Sequence, residues 1–182
     1  MGPLLVVDIQ PSFSNAFGAN LTRDVLAAMR QVKRGQPIVV LSVNEELSGD
    51  TREAIQEFWA EQGMTPALAR RVQFLEKDYA FFRGWMDIGE SPDEIVETAR
   101  KMRQLGINDS RQMPAELLEE VAPGACESCN PIFLPYDLES ERVYQDHAWS
   151  ICGGGRDECL REVELWMESA GIKYERLDHL TY

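Results

Sequence analysis

Basic residues are scarce. The chain of 182 residues carries 18 Lys and Arg against 31 Asp and Glu, a formal charge of −13. A surface of that sign repels phosphate backbones and anionic membranes, so neither nucleic acid nor a membrane is expected as a partner. Long apolar runs are missing too. The stretch Leu4–Val7 gives way at once to Asp8 and Gln10, far short of the ~20 residues a membrane span needs. No basic segment precedes it, so it does not read as a secretory signal. Cysteine is confined to positions 126, 129, 152 and 159, and a chain with 44% hydrophobic residues needs no disulfide framework. Together these absences predict a reducing, cytoplasmic setting. Histidine occurs only at 147 and 179.

What is present is an alternation of short apolar runs with amphipathic stretches, the pattern of βαβ units. It predicts an α/β fold of three layers, a mainly parallel sheet flanked by helices, Rossmann-like in plan, in one domain over residues 1–182. Strands are expected at Leu4–Val7, Pro37–Val43, Val72–Leu75, Ala148–Cys152 and Ile172–Leu177. Helices are expected over Leu21–Arg34, from Asp50 or Thr51 to Gln62, over Ser91–Leu105, Met113–Ala122 and Asp157–Ala170. Ser91-Pro92-Asp93-Glu94 is a strong helix start, with Ser as cap, Pro at the first position and Glu closing a capping box. Residues 107–146 read as an insertion of mixed structure, with Pro131–Leu134 a possible edge strand and Glu141–Gln145 a short extended piece.

In open α/β sheets ligands bind beyond the carboxyl ends of the strands. Asp8 follows the first strand, Lys77 the third, and Cys159 follows the fourth in Ile-Cys-Gly-Gly-Gly-Arg-Asp-Glu-Cys-Leu. The Asp-x-Gln-x-x-Phe start, a Lys followed by Tyr and Phe, and a strand–glycine–Cys–helix element, in that order, resemble the isochorismatase-like cysteine hydrolase superfamily. The resemblance covers residues 1–84 and 147–177. It implies an Asp-Lys-Cys triad, with Asp8 as proton acceptor and donor, Lys77 as electrostatic partner and Cys159 as nucleophile. It also implies an oxyanion hole from the backbone N–H groups of Gly155 and Cys159, beside a cis bond joining Gly154 to Gly155.

The residue types suit that chemistry in their own right. A thiolate attacks a carbonyl, and a cysteine at a helix N-terminus near a lysine is expected to have its charged form favoured. The Gly153-Gly154-Gly155 run lets backbone approach a ligand without a Cβ in the way. A cysteine nucleophile selects an amide or carbamoyl carbon, which points to hydrolysis of a small carboxamide or carbamoyl substrate through a thioester. The other reading is a non-catalytic member of the same fold that binds a metabolite or a protein.

Departures from the family narrow the expectation. Its nicotinamidases bind a metal through Asp-x-His and a further His, whereas the stretch after the second strand here reads Ser42-Val43-Asn44-Glu45-Glu46. No metal and no cofactor are therefore expected. The spacing from Lys77 to Cys159 is about twice the usual one, and little chain follows Cys159, so the sheet is expected to lack the family's last strand or to replace it. A second copy of the chain is left open as a partner, beside the protein partner of the binding reading. Candidates to contact substrate are Gln10, Phe13, Tyr79, Phe82, Gly154 and the arginines Arg83, Arg111 and Arg156, since a guanidinium forks onto carboxylates. Cys126-Glu127-Ser128-Cys129 is a C-x-x-C knuckle, and a zinc site joining it to Cys152 and Cys159 is the rival reading of the cysteines.

Overall fold

The computed structural model describes residues 1–78, 80–125, 131–135, 138, 142–144 and 147–182. Their frame is a five-stranded sheet in the order β3-β2-β1-β4-β5, every neighbouring pair parallel. The strands are β1 (Leu4–Val7), β2 (Ile38–Val43), β3 (Val72–Lys77), β4 (Ala148–Gly153) and β5 (Lys173–Thr181). β1 and β2 are buried throughout, as continuous apolar runs in the middle of a covered parallel sheet must be.

Side chains alternate between two apolar layers. Leu4 and Val6 of β1 and Ile38 and Val40 of β2 face α1 (Ala19–Gln31), α3 (Arg52–Glu61) and α4 (Pro66–Ala69); the four-residue α2 (Glu45–Ser48) lies between β2 and α3 along the chain. Leu5, Val7, Val39 and Leu41 face α5 (Arg83–Ile88), α6 (Pro92–Leu105), α7 (Ala115–Val121) and α8 (Cys159–Ala170). The result is the three-layer, Rossmann-like α/β arrangement read from the alternation. Among the described residues, no helix is long and apolar enough to cross a membrane.

Three expectations are corrected. Pro131–Leu134 is not an edge strand: Phe133 makes an isolated antiparallel bridge with Asp109, and its N–H donates to the Phe81 carbonyl (3.0 Å). Within Glu141–Gln145, Arg142–Tyr144 form a turn of 3₁₀ helix rather than extended chain. The final strand runs through Thr181 rather than ending at Leu177, so the sheet closes on β5. The described parts of 107–146 lie on the α6/α8 layer, where Met113, Leu118, Ile132, Leu134 and Tyr144 join its core.

The chain leaves β1 in one direction for β2 and β3, and later returns on the other side of β1 to add β4 and β5. The carboxyl ends of β1 and β4 therefore form the crevice at which this class of sheet reverses its strand order.

Candidate active site

Asp8 is the first residue past β1. Its φ of 50° places it in the left-handed region, which costs a non-glycine residue about 1–3 kcal/mol, though Asp accepts it better than most. Two bonds hold it there: its N–H donates to the Leu41 carbonyl (2.8 Å), and its carbonyl accepts from the Tyr182 hydroxyl (3.2 Å). The carboxylate is fully buried. Lys77 is the last residue of β3 rather than the first residue after it, and is paired in register with Val43. Its side chain reaches past β2, which lies between β3 and β1, to put Nζ 2.9 Å from Asp8 Oδ2, both side chains wholly excluded from solvent. Nζ also lies 3.4 Å from the Asp78 carbonyl oxygen. Burial disfavours the ammonium most strongly, yet the charges of Asp8, Cys159 and Glu162 more than offset it, so Lys77 stays above the ordinary lysine value. The Asp8 carboxylate thus faces the Lys77 ammonium on one side and the Cys159 thiol on the other.

The glycine run does steric work at two positions. Gly153 has φ +87°, and a Cβ there would collide with the Val7 carbonyl. Gly154 has φ +41°, and a Cβ there would crowd the Leu160 backbone. The Gly154 N–H donates to the Val7 carbonyl at 2.6 Å, so β4 turns over the end of β1 at van der Waals range. The Gly154–Gly155 bond is trans, not cis. The Gly155 carbonyl accepts the N–H groups of Glu158 (3.0 Å) and Leu160 (3.2 Å). That of Cys159, between them, is not drawn into this turn.

Cys159 opens α8 as a buried thiol beside the Asp8 carboxylate. The expected bias toward thiolate is overturned. Burial first, and then the negative charge of Asp8, push the thiol up to about 12, and the opposing pull of Lys77 and Arg83 is too weak to reverse them. At neutral pH the resting group is the thiol.

Two further groups complete the cluster. Glu162, one turn along α8 from Cys159, is a buried carboxylate whose Oε1 accepts the N–H groups of Phe81 (2.8 Å), Phe82 (2.6 Å) and Arg83 (2.7 Å). It thereby caps the start of α5 and ties the chain just past Lys77 to the cysteine helix. Burial raises its carboxyl above the usual range despite those donors and the nearby Lys77 and Arg83. Arg83, so placed, has Nη2 3.8 Å from Cys159 Sγ and Nη1 3.5 Å from Glu158 Oε2. Sequence reasoning named Arg83 but missed Glu162. The signal was a Glu among Leu160, Val163 and Leu165, three positions after the cysteine and on its helix face.

The remaining candidates are engaged elsewhere. Gln10 is a buried strap: its Oε1 accepts from Val43 N–H (2.8 Å) and its Nε2 donates to Asp50 Oδ2 (2.8 Å) and Ser12 Oγ (3.3 Å). Phe13 packs in the α1/α3 layer, and Phe82 is fully buried edge-on against Phe81. Gly154 spends its N–H on Val7. Arg111 is bonded through Nε and Nη2 to the Asp109 carboxylate and stacks on Phe133. Arg156 donates to the Asp178 carbonyl and Thr181 Oγ1, which fastens the end of β5. Tyr79, Cys126 and Cys129 lie outside the described residues. Cys152 packs in the α1/α3 layer and Cys159 in the other, so these two cannot share a zinc ion. Among the described residues, no three His, Cys, Asp or Glu side chains converge as a metal site. Comparison with family models, with curated proteins and with solved structures finds no match to this chain, so the functional reading rests on the site itself.

Proposed function

We propose that the protein is a metal-independent cysteine hydrolase that cleaves a C–N bond of a small carboxamide or carbamoyl compound through a thioester, as the resemblance to isochorismatase-like hydrolases implies. The observation that carries the reading is the wholly buried Asp8–Lys77 pair, 2.9 Å apart, beside the buried thiol of Cys159 at the strand-order reversal. Burying such a pair costs several kcal/mol in desolvation that an apolar replacement would avoid, so stability alone is a poor reason for its presence. Clustered, perturbed titratable groups in a crevice are the usual mark of chemistry.

With the thiol protonated at rest, attack is coupled to proton transfer. Cys159 Sγ adds to the carbonyl carbon as its proton passes to Asp8 Oδ, and Lys77 balances the charge as the carboxylate loses its own. The oxyanion is held by N–H groups of Gly155 and Cys159. Asp8 then returns the proton to the leaving nitrogen, the C–N bond breaks, and ammonia or an amine departs from the thioester. Water, deprotonated by Asp8, adds to the thioester, releases the acid and restores the thiol.

The test is ammonia release from a panel of small carboxamides, ureas and carbamates, with mass spectrometry of quenched enzyme for an acyl adduct on Cys159. Turnover that falls at least about a thousandfold in Cys159→Ala and Asp8→Asn supports the proposal. A panel that yields neither ammonia nor adduct overturns it in favour of a binding protein on this fold.

A further inference from the structure

Five parallel strands bring all their amino ends to one rim of the sheet, and that rim is basic. Lys33 and Arg34 lie in the turn before β2, Arg70 and Arg71 directly before β3, His147 directly before β4, and Lys173 opens β5. Five of the chain's 18 Lys and Arg stand here, and the described residues of these turns (33–37, 70–71, 147 and 171–173) include none of its 31 acids. Asp146 lies outside the described residues. Like charges gathered this way repel one another, and among the described residues none of the six side chains makes an ion pair. Arg71 has one structural duty: its Nη2 donates to the carbonyls of Val32 (2.7 Å) and Lys33 (3.3 Å) and so closes the end of α1. That anchor fixes the guanidinium and leaves Nε and Nη1 without a partner among the described residues. Helix capping does not account for Lys33, Arg34 or Lys173, whose side chains bond nothing there. Arg71 and His147, both half-buried, face one cleft of about 430 Å³ beside the Gly35–Pro37 turn, and a second of about 630 Å³ continues from His147 to Lys173.

We infer that the cleft between Arg71 and His147 binds a phosphoryl group, held by the unspent Nε–Nη1 edge of Arg71 and a ring N–H of His147, with Lys33 and Arg34 supplying further positive charge. A phosphoryl dianion offers three acceptor oxygens, enough for a guanidinium fork and an imidazole at once, whereas the fork alone uses both oxygens of a carboxylate. A net charge of −13 repels anions from the molecule as a whole, so capture of one requires a local cluster of this kind. The site is independent of the hydrolase reading. Asp8 lies at the other end of β1, about 16 Å away at 3.3 Å per residue. No nucleophile among the described residues lines the cleft, so the rim binds its ligand and does not transform it.

Titration calorimetry with orthophosphate, pyrophosphate and AMP tests the site, with malonate as the carboxylate control and ionic strength held constant, because exposed charges are screened by salt. The phosphoryl compounds should bind at least about tenfold more tightly than malonate. Affinity should fall about tenfold in Arg71→Lys, which keeps the charge and loses the fork. Arg71 also closes α1, so His147→Gln and the exposed pair Lys33→Gln with Arg34→Gln carry the test should that variant not fold; each should weaken binding by a similar factor. Cys159→Ala should bind as the parent does. AMP held more tightly than orthophosphate assigns the phosphoryl group to a larger molecule that fills the cleft, and equal affinities assign the site to the free anion. No heat from any phosphoryl compound, malonate bound as tightly, or affinity unchanged in both His147→Gln and the Lys33 and Arg34 variant overturns the site.

Discussion

The Tyr182 hydroxyl donates to the Asp8 carbonyl across 3.2 Å and so links the end of β5 to the turn after β1. The same residue's N–H approaches the Gly154 carbonyl (3.4 Å) and its own carbonyl accepts from Arg156 N–H (2.7 Å). One residue thus fastens the Asp8 turn and the glycine loop together. Tyr182→Phe removes the hydroxyl bond and keeps the ring against Phe17. The expected loss is about 1 kcal/mol of unfolding free energy, read as a lower denaturant midpoint at unchanged m value. Turnover should fall more steeply than that loss explains, because Asp8 sits in a left-handed conformation the bond helps to hold. A variant with wild-type turnover would show that the turn holds itself.

The charges around Cys159 let alkylation and hydrolysis be told apart, since removing Asp8 sets them in opposition and removing Lys77 does not. The folded thiol is pushed up to about 12, above the ordinary cysteine value, so its iodoacetamide rate should climb about tenfold per pH unit from 7 toward 11 without levelling near 9. Asp8→Asn removes a negative charge that raises the thiol, so the thiolate fraction at pH 8 grows and alkylation should accelerate about tenfold. Lys77→Met removes a charge that lowers it, and alkylation should slow. Turnover is lost in both. Cys152, fully buried, serves as the internal reporter of unfolding. Slower labelling in Asp8→Asn would mean that the carboxylate does not face the sulfur.

Gly153→Ala tests the close passage of β4 over β1. The new Cβ would meet the Val7 carbonyl, in a backbone conformation that L-residues resist. The expected loss is at least about 2 kcal/mol, with a lower melting temperature and reduced turnover. An alanine variant as stable as the parent would show that the strand ends lie further apart than described.

The strands were legible because their burial is written in composition: Leu4–Val7 and Ile38–Val43 are unbroken apolar runs and sit in the sheet's middle. The start of α6 was equally plain, and both halves of its capping box form, with Glu94 N–H donating to Ser91 Oγ and Ser91 N–H to Glu94 Oε2. Edges were harder. β3 continues through Glu76 and the buried Lys77, and β5 through Asp178 and His179, where polar residues at the ends of the two edge strands hide the strand. α5 escaped notice because its cap is not a neighbouring Ser or Asp but Glu162, roughly eighty positions away. Among 31 acidic residues the apolar neighbours Leu160, Val163 and Leu165 set Glu162 apart, but which groups its carboxylate meets is decided by tertiary packing. The ionisation of Cys159 failed for the same reason: the lysine nearby was legible, the desolvation that outweighs it was not.

Glu162 is where fold and site are hardest to separate, and two substitutions separate them. Glu162→Ala leaves the N–H groups of Phe81, Phe82 and Arg83 buried without an acceptor. The expected cost is about 3–5 kcal/mol, larger than that of most single substitutions. Glu162→Gln presents an amide oxygen to the same three donors. Because burial already raises this carboxyl, the neutral isostere should cost no more than about 1 kcal/mol. Chemical denaturation measures both. Hydrogen exchange at Phe81–Arg83 should accelerate in the alanine variant alone. Equal stability of the two variants would mean that the three short bonds do not hold the start of α5, and Arg83 would then owe its place near the sulfur to something other than Glu162.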